Sequence, residues 1–301
     1  MQRKDHLDRF GVVALLGFAL LMAFNQIVIK FTNAGLQPVF FAGLRSAGAV
    51  LCIGGWILAR RIPFRSTAAT RRGGMLAGLF FTAEFFLLFT ALDLTTVSRS
   101  VIMLYSMPIW LALGAHLLLP ADRLTLPKAL GLALAMAGVV LAMSDPADTG
   151  AGSLLGDLCA LAAAVCWAGL TLTAKATDLK LARPEVQIFW QVAVSAVILL
   201  AISPLFGPLL RDLQPIHLAG LAFQSVVVVS GAFVGWFWLL SVYPGSAVAS
   251  FSFVTPVFGV ALGWLLLDEA VGWRLLAALA LVAAGIVLIK LAPVRFRKTS
   301  G

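Results

Sequence analysis

The stretch PIWLALGAHLLL (108–119) returns as PVFGVALGWLLL (256–267), aligned without a gap at an offset of 148 residues. After one single-residue shift, MAGVVL (136–141) falls on AAGIVL (283–288). Pro108 and Pro256 each interrupt an apolar span, and each span is followed by a short polar turn and a final apolar helix. Shared proline, register and order together point to an internal duplication.

Apolar runs, broken by charges or by Gly and Pro, divide the chain into ten segments: 11–29, 38–58, 74–92, 98–119, 126–143, 154–174, 184–202, 218–240, 247–267 and 275–291. Each is close to the ~20 residues an α-helix needs to cross ~30 Å of hydrocarbon. Of the 301 residues 61% are hydrophobic and only 12% charged, whereas a soluble domain carries about 25% charged residues. Alternating ten-residue segments of a β-barrel are absent. The expected fold class is therefore all-α integral membrane. MQRKDHLDRF precedes an apolar run that continues to Ile29 without a small-residue cleavage site, so a retained first helix is expected rather than a signal peptide.

Ten segments give five to each repeat, 10–143 and 154–291. An odd number makes the second copy enter the membrane from the opposite side, and inverted repeats around a midplane site are a recurring plan of secondary transporters. The net charge of +9 raises nucleic acid as a partner. The basic residues instead cluster in short loops beside apolar spans. With the N-terminus inside, seventeen of the 22 Lys and Arg fall on the inner side and four on the outer, with Arg45 left within a span. That asymmetry is the positive-inside pattern of a protein in a lipid bilayer. It places both termini in the cytoplasm and argues against a nucleic-acid partner.

The residues LDEAVGWRLLAALALVAAGIVL (267–288), AVCWAGLTLTAKA (164–176) and ALDLTTVSRSVIMLYSMPIW (91–110) resemble segments of the drug/metabolite transporter superfamily, with two EamA-type halves. ADRL (121–124) carries Asp122 where a glutamate is more usual in that family. The aromatic-rich stretches AEFF (83–86), LYSMP (104–108) and CWAG (166–169) are most similar to YddG-type amino-acid exporters. The resemblance implies a small-molecule substrate, export by alternating access, a bacterial inner-membrane location, and a central cavity to which Trp167 and Tyr105 contribute.

The residues themselves supply candidates for that cavity. Glu84 stands in FFTAEFFLLFT (80–90), and an ionised carboxylate at a bilayer centre costs at least ~2.5 kcal/mol. Counting 1.5 Å per residue from the outer ends of spans two and three puts Arg45 about ~10 Å deep and Glu84 about ~12 Å deep. Matching depths allow either a structural ion pair between them or a substrate-binding role for Glu84. Trp167 and Tyr105 lie near mid-span, whereas Trp56, Trp236, Trp238, Trp264 and Trp273 lie near span ends, as an interfacial belt does. Asn25, Ser106, Thr171, Gln224 and Ser252 complete the candidate set, against the alternative that each only links neighbouring helices. Spans five and ten carry no polar side chain between Lys128 and Ser144 or between Arg274 and Lys290, so both should be peripheral.

Cys52, Cys159 and Cys166 show no metal spacing, and no metal or cofactor is expected. No G-x-x-x-x-G-K-[ST] loop occurs, so ATP hydrolysis on this chain cannot drive transport. No H-E-x-x-H or midplane Asp pair supports an enzyme, and no repeated filter supports a channel. A zwitterionic amino acid suits one carboxylate among amides, hydroxyls and aromatic rings; a lipophilic cation suits Glu84 and Trp167 as well. Oligomeric state, transport direction and coupling ion have no signature in the sequence, and a monomer is compatible with it.

Overall fold

A computed structural model describes residues 8–64, 67–118, 124–144, 153–243 and 254–291. These are helical throughout, with no strand longer than a single bridge between Leu36 and Leu210. The elements are α1 (Arg9–Thr32), α2 (Pro38–Ala59), α3 (Ala68–Leu94), α4 (Val97–Leu104), α5 (Met107–Leu118), α6 (Leu126–Met143), α7 (Leu154–Ala176), α8 (Pro184–Ile202), α9 (Pro215–Ala222), a π-helical stretch (Phe223–Ala232), α10 (Phe233–Val242), α11 (Val254–Leu267) and α12 (Trp273–Leu291). Eight spans, with α4 and α5 counted together, are long and apolar enough to cross a membrane; α11 and α12 are apolar but shorter.

Helix starts follow local chemistry. Asp8, Thr67, Thr96 and Ser153 each accept a backbone N–H from the first turn of α1, α3, α4 and α7. Such caps satisfy donors that the helix itself cannot. Pro38 and Pro184 open α2 and α8 at the first helical position, where the missing N–H is no loss. The sequence placed the third span at 74–92, yet α3 begins at Ala68 and carries Arg71 and Arg72 in its first turns. Hydropathy marks where lipid ends; the Thr67 cap marks where hydrogen bonding begins.

Two spans are not regular helices. Pro108 lacks an N–H and its ring crowds the carbonyl four residues back, so span four breaks at Tyr105 and Ser106 between α4 and α5. Ser106 Oγ then donates to Met103 O at 2.6 Å. Span eight runs through the π-helical stretch, where Ser230 Oγ donates to Ser225 O, five residues back, at 2.8 Å. Such wide turns occur often at functional positions.

The helices pack in matched pairs. α2 lies on α8 and α6 on α12; α1 packs on α11 as α7 packs on α4 and α5; α3 packs on α7 as α1 packs on α9 and the π-helical stretch. The α6–α12 contact is a close backbone approach, with β-carbons built on Gly131 and Gly285 falling 2.7 Å and 2.5 Å from each other's carbonyl oxygens. This pair stands aside from the internal cavity, as expected for spans five and ten. Gly285→Val should destabilise the protein by ~1–3 kcal/mol, the usual cost of overpacking. A thermal melt of the purified protein in detergent, showing a lower midpoint than wild type, checks it.

Candidate functional site

A cavity of about 550 Å³ lies inside the bundle, within the range of small-molecule sites. From α1 it is lined by Leu15, Phe18, Ala19 and Met22 but by nothing beyond Met22. From α7, which runs the other way, come Trp167, Leu170 and Thr171 near its end. The space therefore reaches from mid-depth toward the end at which α1 begins.

Glu84 on α3 and Arg45 on α2 line its deeper part. The residues are only 6% and 3% exposed. Glu84 Oε2 has no hydrogen-bond partner, nor do Nε and Nη1 of Arg45. The guanidinium instead stacks over the Phe85 ring, 3.8 Å from its centroid, and lies 5.4 Å from that of Phe89. Cation–π contact holds a guanidinium in place without consuming its N–H groups.

The break in span four delivers Tyr105 and Met107 to the cavity wall. Tyr105 meets Trp167 edge-to-face, with centroids 5.7 Å apart and planes at 89°, a favoured aromatic geometry. Thr171 also lines the cavity, with its Oγ1 donating to Trp167 O at 2.9 Å. Glu84, Arg45, Tyr105, Trp167 and Thr171 are thus brought together.

Asn25, Gln224 and Ser106 are not among the residues that line the cavity. Gln224 Nε2 donates to Asn25 Oδ1 at 2.5 Å, tying α1 to the π-helical stretch. Ser106 Oγ is occupied by Met103 O and by the Trp110 indole N–H at 3.2 Å. In a medium without water, each polar group meets the nearest partner on a neighbouring turn or helix. Ser252 lies outside the described residues. Trp236, which its position near a span end assigns to the interfacial belt, instead lines the cavity and packs on Phe18 at 5.1 Å. The cavity reaches to within two turns of the helix end, so a belt position and a wall position coincide there.

The opposite end of the bundle is closed by charge. Glu269 accepts the first amides of α4, Val97 N at 2.6 Å and Ser98 N at 2.9 Å, together with Ser98 Oγ at 2.7 Å. An anion is favoured at a helix N-terminus. Arg99 Nε donates to both oxygens of Asp157 at 3.1 Å and its Nη2 makes a further short contact, while Thr95 Oγ1 donates to Asp157 Oδ1. Lys30 Nζ donates to the closing carbonyls Leu92 O and Thr95 O at 3.1 Å and 2.7 Å. Arg211 grips Asp93 through two bonds of 2.7 Å and 2.9 Å and also reaches Asn33 O. Asp268 takes a positive φ of 52° in the turn that delivers Glu269. A β-carbon on Gly263 would lie 2.5 Å from the Glu269 carboxylate, which explains the glycine.

Membrane-length helices around a mostly apolar cavity that holds one carboxylate and one guanidinium define a multi-pass membrane protein with room for a small molecule. The chain belongs to the EamA-like transporter family, which it matches at residues 9–144 and again at 154–291. It is 27% identical over 315 residues to a probable amino-acid metabolite efflux pump of Escherichia coli (strain K12), covering 99% of this chain and 98% of that protein. The uncharacterized transporter YvbV of Bacillus subtilis (strain 168) is 30% identical over 185 residues, 60% of this chain and 56% of that one. One solved crystal structure shares the fold at a TM-score of 0.65, covering 93% of this chain and 96% of its own, with 21% identity.

Asp157 is fully buried, and removing one partner of a buried ion pair costs ~3–5 kcal/mol, whereas replacing both by apolar groups is often near neutral. Arg99→Met should lower the melting midpoint sharply. Adding Asp157→Leu to it should restore most of the loss in the same thermal melt.

Proposed function

We propose that the protein is a secondary transporter that moves amino acids or similar small metabolites out of the cytoplasm across the bacterial inner membrane. In this reading ten spans form two inverted five-helix repeats, 10–143 and 154–291, with both termini cytoplasmic. The matched helix pairings support the inversion, because the main contacts between the halves have counterparts with the halves exchanged. The positive-inside charge distribution supports the orientation.

One observation carries the proposal: a cavity of about 550 Å³ reaches toward one end of the bundle while ion pairs and capped helix ends close the other. With the N-terminus inside, the cavity faces the cytoplasm, the state from which an exporter loads. Glu84 meets the substrate amine, with Trp167, Tyr105 and Thr171 as the surrounding wall. The full-length similarity to a probable amino-acid metabolite efflux pump supports both substrate class and direction. Without an ATP site, movement is downhill or coupled to an ion gradient.

A second reading has its own support. Phe18, Phe81, Phe85, Trp167 and Trp236 make much of the wall aromatic, and aromatic faces with one carboxylate also suit a lipophilic cation. Uptake of a labelled amino-acid panel into proteoliposomes, with and without a pH gradient, separates the two. The expected result is saturable uptake of a few amino acids, reduced roughly tenfold or more in Glu84→Gln, the scale of one charge-assisted hydrogen bond. Trp167→Ala should raise the half-saturating concentration. No amino-acid uptake by folded protein, with transport of a lipophilic cation instead, sinks the first reading.

A further inference from the structure

Arg45 has no place in the reading so far, and its surroundings give it one. The guanidinium is held over Phe85, is almost wholly enclosed, lines the same cavity as Glu84, and keeps Nε and Nη1 without hydrogen-bond partners. Glu84 Oε2 is likewise unpartnered. A buried ion without a partner is expensive, and a structural pair would be expected to close on itself through hydrogen bonds. Both residues line the cavity, and the protein supplies no hydrogen-bond partner to these enclosed atoms.

We propose that Arg45 is a second substrate anchor: it takes the carboxylate of an α-amino acid whose ammonium group meets Glu84. This rests on the transporter reading and narrows its substrate to zwitterions. One rigid, planar guanidinium edge fits a carboxylate through two parallel N–H bonds. One free carboxylate oxygen fits an ammonium. A ligand bearing both charges satisfies both buried groups at once and brings no net charge into the bundle. A simple cation leaves Arg45 unpartnered and adds like charge beside it; a simple anion does the same to Glu84. A site built to pair a polar group strongly rejects analogues that lack the matching group, because its own buried atoms are then stranded. The rest of the wall, with Phe18, Phe81, Ile188, Val228, Val229 and Trp236, assigns an apolar side chain to the amino acid.

The test uses full-length protein in proteoliposomes and three probes of one shape. Labelled leucine uptake is competed with unlabelled leucine, with 3-methylbutylamine, which lacks the carboxylate, and with 4-methylpentanoate, which lacks the amine. For wild type, each truncated analogue should compete at least roughly tenfold more weakly than leucine. This comparison needs no variant to fold. In Arg45→Gln, leucine should weaken to the level of 3-methylbutylamine while the amine itself is unchanged or improved. Glu84→Gln should show the mirror result with 4-methylpentanoate. Competition by 3-methylbutylamine equal to that by leucine in wild type overturns the two-point site and leaves the amino-acid transporter standing. Equal loss of both leucine and amine in Arg45→Gln assigns Arg45 to structure and overturns its role as anchor. Absence of uptake for leucine and every other amino acid by folded protein overturns the amino-acid reading and this inference with it.

Discussion

The fold depends on one constraint: an ionised group inside a bundle that lipid surrounds must find a counter-charge or a cluster of dipoles. At the end of the bundle away from the start of α1 this is met everywhere it is tested. Asp157 has Arg99, Glu269 has the first amides of α4, Lys30 has the closing carbonyls of α3, and Asp93 has Arg211. Each tie joins elements far apart in the chain, so the same bonds that neutralise charge also clamp the helix ends together. In the cavity the constraint is left open, with free atoms on Arg45 and Glu84. The bundle satisfies its buried charges at one level and leaves two with unpartnered atoms at another, and the proposed substrate site rests on that difference.

The two irregular spans both reach the cavity. The break after Leu104 and the π-helical turns of Phe223–Ala232 occur in two of the spans that line it. Both defects re-aim side chains that a regular helix would carry elsewhere: Tyr105 and Met107 in one case, Val228, Val229 and Ala232 in the other. The α6–α12 pair, by contrast, is regular and packed to backbone contact. It braces the bundle without approaching the cavity.

Much of this was legible in the sequence, for identifiable reasons. Apolar runs report the passage through lipid directly, so nearly every span lies within a few residues of its helix. Depth counted along adjacent helices brought Arg45 and Glu84 to one level because helical rise is constant. Pro108 announced the interruption of span four. The failures share a different cause. Asn25, Ser106 and Gln224 look like Thr171 in a linear string, and only the rotation of each helix decides whether a polar group meets the cavity or a neighbour. The pairing of Asn25 with Gln224 spans 199 residues, beyond the reach of any local pattern. The π-helical turns have no residue type as specific as proline to betray them. Glu269 sat in plain view in an acidic turn, but its meaning depends on which helix start it faces.

The two halves match in shape more closely than in charge. α2 and α8 both open on a proline, and the residue seven positions further along lines the cavity in each: Arg45 in the first, Gln191 in the second. Equivalent positions thus carry a fixed cation on one side and a neutral amide on the other. Glu84 belongs to the first half as well, so both unpartnered charges ride on α2 and α3. In the proposed cycle, where one half rocks against the other, a zwitterion held by those charges would stay with the first half throughout. The second half, contributing an amide, methyl groups and rings, can slide past it without breaking a charged contact. In the proposed mechanism, duplication supplies the symmetry that alternating access requires, and the loss of that symmetry at these two charged positions decides which half carries the substrate.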